Sequence, residues 1–199
     1  MSQGLTLAGM EYRARGQYNL PSTGALLLIN HQSFLDPVLV GLPLKRPVSY
    51  LTRDTLFTAP GVGFIMRNCH TIPISRTSTG TASLREAVRR MDEGYLVGIF
   101  PEGTRCRDGL LQEFKPGFLA MIKRSTVPVI PVAVAGAYRA MPRNAWMIRP
   151  ARVRVVYGER LNQSVIDAYR AGQKGLDMVD LAHTAVAKCL HEAEDWLNS

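Results

Sequence analysis

Apolar segments of strand length recur along this chain and alternate with segments of helical periodicity. The first, Ala25–Ile29, contains no polar residue. A continuous apolar run of this length is typical of a buried strand. Further strand candidates lie at residues 48–52, 71–75, 95–100, 129–134 and 153–157. Strands that alternate with helices predict an α/β fold, in which helices flank a largely parallel, mixed sheet.

Three segments carry the helical pattern. Between residues 84 and 91, apolar side chains recur every three or four positions, and Gly94 is expected to end that helix. A short helix is predicted over residues 116–123. The last helix is long and amphipathic, with one apolar stripe formed by Val179, Ala182, Val186, Leu190, Ala193 and Leu197.

Length and cysteine usage limit the classes of protein that fit. A chain of 199 residues predicts a single domain spanning residues 1–199. The three cysteines are scattered and form no C-x-x-C pair, so reduced thiols in a cytosolic protein are expected, without a disulfide framework, metal site or cofactor. The longest weakly polar run, residues 127–138, is too short to span a bilayer, which takes about 20 residues.

Positive charge is concentrated in one part of the chain. Residues 114–158 contain eight of the 24 basic residues and none of the 16 acidic ones, so the rest of the chain is neutral. Such a segment suits an anionic partner, which could be a phosphate ligand, lipid head groups or nucleic acid. A surface that serves only for solvation is the alternative.

The sequence "NHQSFLD", residues 30–36, follows the first strand directly. Open α/β sheets place ligands beyond the carboxyl ends of their strands, so His31 is a candidate general base and Asp36 a candidate partner for its ring. On a continuous helix these positions would point about 140° apart, so the pair needs a turn that leads into a helix. Alternatively, Asp36 caps a helix that has Pro37 at its first position, and Ser33 with Asp36 forms a capping box.

Two further motifs follow strands or form them. In "FPEGTR", residues 100–105, Arg105 suits a phosphate or carboxylate, and Glu102 could accept hydrogen bonds from a polyol or pair with an arginine. "FKPG", residues 114–117, brings Lys115 and a helix start close to that turn. A plain strand-ending turn with a surface salt bridge is the alternative. The prolines of "VPVIPV", residues 127–132, suit a sheet edge or a strand entry and not a central strand, and a core strand edged by prolines is the alternative.

Taken in this order and spacing, these motifs resemble those of the glycerolipid acyltransferase family, whose best-known members are the lysophosphatidic acid acyltransferases. The resemblance extends over residues 24–136 and implies a glycerol-3-phosphate acyltransferase-like fold. A further family motif, G-x-x-[FP]-I-x-R, has two candidates: the segment that ends at Arg67 fits the pattern, and the one that ends at Arg76 has His70 in place of the glycine. We select Arg76, because it ends a predicted strand before the helix that leads to "FPEGTR".

The resemblance implies transfer of a fatty acyl group from acyl-CoA or acyl-carrier protein to the hydroxyl of a lysophosphatidic acid-type acceptor. His31 of the H-x4-D motif would be the general base, and Asp36 would orient it. No serine or cysteine nucleophile is then required, and no G-x-S-x-G elbow is present. The acceptor-binding residues implied are Arg76, Glu102, Gly103, Thr104, Arg105 and Lys115. Glycerol 3-phosphate, another lysophospholipid and a lyso-ornithine lipid remain open as acceptors.

Members of this family usually act at membranes. The residues before Glu11 offer no membrane helix, so we expect peripheral contact with the inner face of an anionic membrane through residues 139–154. This segment has five arginines and no acidic residue, and it interleaves Met141, Trp146, Met147 and Ile148 among them. A non-catalytic lipid-binding relative is one alternative. A nucleic-acid-binding module is another, but no recognised nucleic-acid motif is present and we expect no nucleic acid partner.

Overall fold

The computed structural model describes residues 3–7, 9–53, 72–74, 81–145 and 147–199. Within these residues, eight strands form one sheet. They are β1 (Gln3–Leu7), β2 (Met10–Arg15), β3 (Ala25–Ile29), β4 (Val48–Arg53), β5 (Ile72–Ile74), β6 (Leu96–Ile99), β7 (Val129–Ala135) and β8 (Arg152–Tyr157). Their order across the sheet is β1-β2-β8-β7-β3-β6-β4-β5.

Most neighbouring strands run parallel. β3 pairs in parallel with both β6 and β7, and β4 pairs in parallel with β6 and β5. β2 is parallel to β8, whereas the β1–β2 and β7–β8 pairs are antiparallel. The predicted α/β class with a largely parallel, mixed sheet is therefore confirmed.

Of the six α-helices in the described residues, four lie between strands in the chain and the last two follow β8. The six helices are α1 (Asp36–Gly41), α2 (Thr81–Asp92), α3 (Leu119–Arg124), α4 (Ala137–Ala140), α5 (Gln163–Arg170) and α6 (Met178–Asn198). Short 3-10 helices span Gln17–Asn19 and Pro116–Phe118, so the helix predicted over 116–123 begins as a 3-10 turn. Gly94 follows α2 with a φ of 95°, as expected for a residue that ends a helix.

The core lies on both faces of the sheet, with β3 at its centre. All five β3 side chains are buried, which explains the continuous apolar run. Leu27 and Ile29 pack on the face that α1 and α4 cover, whereas Leu26 and Leu28 pack on the face that α2, α3 and α6 cover. The predicted stripe on α6 is the side of that helix that enters the core, where Ala182 and Val186 are fully buried.

The sheet-edge interpretation of "VPVIPV" is wrong, and the alternative, a core strand edged by prolines, is confirmed. β7 lies in the middle of the sheet, between β8 and β3. Pro128 sits at the strand entry, and Pro131 lies one residue before the first β7–β8 pair, Val132 with Tyr157. Proline has no N–H to donate to a neighbouring strand, but β8 has already ended opposite Pro131, so no hydrogen bond of the β7–β8 pair is lost there. The Pro131 carbonyl accepts the Gly158 N–H at 2.9 Å.

Candidate active site

The turn after β3 brings His31 against Asp36. His31 Nδ1 lies 2.8 Å from Asp36 Oδ2, and the Asp36 side chain is completely buried. The pair meets because the chain turns after Asn30 and enters α1 at Asp36. Since a carboxylate only accepts hydrogen bonds, Nδ1 carries the proton in the neutral form of the ring, which leaves the lone pair of that form on Nε2. The His31 side chain is 19% exposed, so the ring is sheltered but accessible.

Asp36 also holds the turn itself. Its Oδ2 accepts the backbone N–H groups of Gln32 and Ser33, each at 2.7 Å. The predicted cap is displaced by one residue, since Leu35 is the N-cap and Asp36 is the first residue of α1. The Ser33 contact spans three residues, as in a capping box, although Ser33 is not the N-cap, so the same oxygen orients the ring and holds the turn before α1. Oδ1 of Asp36 is buried and has no hydrogen-bond partner in the described residues.

Aromatic side chains flank the imidazole. The ring of Phe100, at the end of β6, stacks on His31 with centroids 4.0 Å apart and planes at 22°. Tyr50 from β4 stacks in turn on Phe100 at 6.0 Å. Stacking restricts rotation of the histidine ring and excludes water from one side of it. Sequence reasoning missed Phe100 as a site residue, although the parallel pairing of β3 with β6 requires their carboxyl ends to lie side by side.

The side chain of Glu102 points into the protein. It is 2% exposed, and its Oε1 accepts the backbone N–H of His31 at 2.7 Å. Its Oε2 accepts the Gln112 N–H at 3.3 Å. Burial raises the pKa of Glu102 to about 7, and this effect outweighs the hydrogen bonds from the two N–H groups, which lower the pKa. The sequence suggested an arginine or a polyol as its partner, but in the structure its partners are backbone amides.

Arg105 lies on the outer side of the same turn. Its guanidinium packs over the Phe34 ring at 4.5 Å and donates to the Arg143 carbonyl at 3.1 Å. Burial first, and then the charge of Arg143, lower its pKa. Arg105 forms no salt bridge with any carboxylate in the described part of the chain. A half-buried cation beside a second cation favours an anionic ligand.

The remaining predicted residues surround this turn. Gly103 has a φ of 71°, and a Cβ there would lie 3.2 Å from the Lys115 side chain, so Lys115 packs directly over the turn. Thr104 is exposed beside it. The structure thus brings together all predicted site residues within its described part, whereas Arg67 and Arg76 lie outside that part.

Asn30 is a further residue that sequence reasoning missed. Its side chain donates to the Val134 carbonyl at 3.0 Å and accepts the Val134 N–H at 2.8 Å. These two bonds extend the β3–β7 pairing by one residue and fix where the turn begins. The sequence feature that could have indicated this role is an amide side chain directly after a buried strand, where the backbone hydrogen bonds of the sheet end and the neighbouring strand needs another partner.

Three buried tyrosines hold α1 on the sheet, and they too were missed. Tyr12 donates to the Leu39 carbonyl at 2.8 Å, Tyr50 donates to that of Pro37 at 2.7 Å, and Tyr157 donates to that of Val40. A six-residue helix leaves most of its carbonyls without intrahelical partners, and these hydroxyls supply them. Three strands thereby fix the helix that carries Asp36.

Known proteins share this arrangement of sequence and fold. The family model described as Acyltransferase matches residues 11–135. A chloroplastic 1-acyl-sn-glycerol-3-phosphate acyltransferase of Arabidopsis thaliana is 31% identical over 157 residues, which cover 76% of this chain and 44% of the relative. The Pseudomonas aeruginosa enzyme of that name is 30% identical over 161 residues, or 78% of this chain and 61% of the relative.

A solved structure has the same fold. The crystal structure of the 1-acyl-sn-glycerophosphate (LPA) acyltransferase PlsC from Thermotoga maritima superposes with a TM-score of 0.70 at 25% identity, covering 94% of this chain and 71% of that chain. The chain spans less than half the length of the plant relative. The family model nevertheless covers well over half of the chain, including the turns that hold His31, Asp36, Glu102 and Arg105. The chain is therefore a member of the Acyltransferase family, and 1-acyl-sn-glycerol-3-phosphate acyltransferases are among its relatives.

Proposed function

We propose that this protein transfers a fatty acyl group from a thioester donor to the hydroxyl of a lysophosphatidic acid-type acceptor, as a step of phospholipid synthesis. The observation that carries the proposal is the pairing of His31 with the buried Asp36, 2.8 Å apart, beside an arginine without a carboxylate partner in the described residues. The names of the relatives support the acceptor class. Acyl-CoA and acyl-carrier protein both fit as donors.

In the proposed mechanism, Nε2 of His31 takes the proton of the acceptor hydroxyl. The oxygen then attacks the thioester carbonyl carbon, so that a C–O bond forms and the C–S bond breaks. The proton passes from Nε2 to the leaving sulfur, and His31 returns to its starting state. Asp36 keeps the Nδ1 proton in place and stabilises the imidazolium while it exists. A positioned base of this kind typically contributes about 10²–10⁴-fold.

Arg105 is proposed to bind the phosphate of the acceptor. A planar guanidinium offers two parallel donors to a phosphate, and stacking on Phe34 holds that plane next to the His31–Asp36 turn. Lys115 and Arg76 would add positive charge, while Gly103 and Thr104 would line the acceptor. Holding the acceptor in this way brings its hydroxyl to His31.

The protein is proposed to work at the inner face of a membrane, bound to the surface. No helix in the described residues is both long and apolar enough to cross a bilayer. Met147 and Ile148 are 55% and 46% exposed, and the exposed Arg143 and Arg149 flank them. Exposed apolar side chains among arginines suit an anionic bilayer, such as the cytoplasmic leaflet.

Burial removes part of residues 139–154 from the membrane contact that we propose. Arg154 is 4% exposed and pairs with Glu11, and Met141 is half-buried, so neither is available to a bilayer. Trp146 lies outside the described residues. The proposed contact is therefore centred on residues 143–149, and Arg139 and Arg152, which are also exposed, lie on either side of them in the sequence. This contact adjoins the site, because the Arg143 carbonyl accepts from Arg105 and the Met141 carbonyl accepts from Ser33.

Vesicle flotation tests the membrane contact. We expect binding to vesicles that contain phosphatidylglycerol and not to pure phosphatidylcholine, and a loss of binding in a variant with Met147→Ser and Ile148→Ser. Tyr18→Ser is the matched control, since Tyr18 is 86% exposed and follows the carboxyl end of β2, whereas residues 143–149 precede the amino end of the parallel strand β8, at the other end of these strands. Equal binding by all three proteins would remove this surface from the proposal.

An acyl-transfer screen tests the function itself. Purified protein is incubated with panels of acyl-CoA and acyl-carrier protein donors and of lysophosphatidic acid, glycerol 3-phosphate and other lysolipid acceptors, and products are detected by mass spectrometry. We expect acylated lysophosphatidic acid from the wild type and none above background from His31→Ala. Product from neither protein with any acceptor would overturn the proposal in favour of a non-catalytic member of the family.

A further inference from the structure

We propose that Glu102 is a positioning residue, whose carboxylate fixes the backbone of His31 against the Arg105 turn and does not touch the acceptor. This inference rests on the proposed function, in which His31 is the base. It changes the role expected for Glu102 from the motif, which was to shape the acceptor site.

The first support is that both carboxylate oxygens already have partners. Oε1 accepts the His31 N–H at 2.7 Å, and Oε2 accepts the Gln112 N–H at 3.3 Å. With the residue 2% exposed, almost no carboxylate surface is accessible to a polyol in the crevice. A residue that binds a hydroxyl needs at least one oxygen that the ligand can reach.

The second support is that His31 is held on both sides of its backbone. Glu102 takes its N–H, and the Cys106 N–H donates to its carbonyl at 2.8 Å. The segment from Glu102 to Cys106 therefore clamps the residue that carries the base. Because Arg105 lies within this segment, the same clamp sets the distance between the base and the anion-binding guanidinium.

The third support is the chemistry of the side chain. A carboxylate offers acceptors only, which suits two backbone N–H groups that approach from different sides. A glutamine in its place would turn an NH₂ group towards one of those N–H groups, and an aspartate would be too short to span both. Burial of a carboxyl group is costly, and the two N–H bonds offset that cost.

Loss of the clamp should act on turnover and not on acceptor affinity. The His31 ring would keep Asp36 and Phe100 as neighbours, but its backbone would be held only at the carbonyl, by the Cys106 N–H. A displacement on the order of 1 Å can cost about 100-fold in rate. We expect kcat for Glu102→Gln to fall about 10- to 100-fold, while KM for the phosphate-bearing acceptor changes less than about threefold.

Kinetics of Glu102→Gln and Glu102→Asp, beside Glu113→Gln, provide the test. Glu113 is an exposed glutamate close to the same turn, so its variant removes the same charge without removing the clamp. Wild-type kinetics are expected for Glu113→Gln, and a fall in kcat for both Glu102 variants. A large rise in acceptor KM with kcat retained would mean that Glu102 binds acceptor, and would overturn the inference.

A spectroscopic readout separates this inference from the proposed function. The Nδ1 proton between His31 and Asp36 should give a downfield proton NMR signal, assigned by its loss in His31→Ala. We expect the signal to broaden or shift in both Glu102 variants and to stay unchanged in Glu113→Gln. If the wild type transfers no acyl group, the proposed function fails, yet this signal still reports on the clamp. An unchanged signal in folded Glu102→Asp would overturn the inference.

Discussion

Replacement of Asp36 by asparagine isolates the charge of the carboxylate from its geometry. Oδ2 accepts three hydrogen bonds, from His31, Gln32 and Ser33, while Oδ1 is buried without a partner in the described residues. An asparagine can place its oxygen at the Oδ2 position and its NH₂ at the Oδ1 position. All three bonds then persist, and only the negative charge is lost.

The size of the effect follows from the contact. When His31 accepts a proton, a positive charge forms next to the carboxylate, with charge centres about 4 Å apart. At an effective dielectric constant of about 20, that pair contributes about 4 kcal/mol. Since about 1.4 kcal/mol corresponds to tenfold in rate, kcat should fall about 1000-fold in Asp36→Asn.

Steady-state kinetics and thermal unfolding check this expectation together. KM for the acceptor should stay within about threefold of wild type, because the hydrogen bonds of Asp36 go to His31, Gln32 and Ser33 and not to Arg105. The free energy of unfolding should fall by about 1–2 kcal/mol, for an NH₂ group without a partner. That corresponds to a Tm lower by about 2–8 °C. A folded Asp36→Asn protein with kcat within tenfold of wild type would refute the proposed role of the carboxylate.

Three further predictions concern neighbouring groups. Arg105→Ala should raise KM about 10- to 100-fold for lysophosphatidic acid but not for monoacylglycerol, since a charge-assisted hydrogen bond contributes about 1.5–3 kcal/mol. The control Arg124→Ala, which removes an exposed arginine at the end of α3, should leave both KM values unchanged. An equal rise for both acceptors in Arg105→Ala would contradict phosphate binding. The pKa of Glu102 is raised to about 7 from an ordinary 4.5, so between these pH values the folded protein binds a proton that the unfolded chain releases. The free energy of unfolding should therefore fall by about 3 kcal/mol at most as pH rises from 4.5 to 7. Urea unfolding of Glu102→Gln should lack this pH-dependent fall, and identical pH profiles for wild type and variant would contradict the raised pKa. Tyr157→Phe should lower the free energy of unfolding by about 1–3 kcal/mol, because it leaves the buried Val40 carbonyl without its donor. The control Tyr18→Phe should have no effect. Equal urea midpoints for Tyr157→Phe and wild type would show that this bond does not stabilise α1.

The sequence predicted those parts of the fold that depend on local pattern. The strand at Ala25–Ile29 was predicted with its observed bounds, and the other predicted strands differ by one or two residues within the described part. Two elements were missed despite a readable signal. Met10, Tyr12 and Ala14 alternate with charged residues in β2, and Asn162 caps α5 through the Ser164 N–H.

Other features of the site depend on contacts between distant parts of the chain. The Tyr157 hydroxyl meets α1 across 117 positions of sequence, and no local periodicity reports such a bond. The direction of the Glu102 side chain is set by the His31 N–H, 71 positions away. Likewise, a central position for Pro131 is tolerated only because β8 ends opposite it. Each of these depends on strand order, which motif spacing does not encode.

The central claim is that His31 removes the proton from the acceptor hydroxyl. Single-turnover acyl transfer by His31→Gln tests it most directly, since glutamine keeps a polar side chain of similar reach but cannot act as a base at neutral pH. The account predicts a rate of acyl transfer about 10²–10⁴-fold below wild type, with unchanged binding of the acceptor. Acyl transfer by His31→Gln at close to the wild-type rate would contradict it.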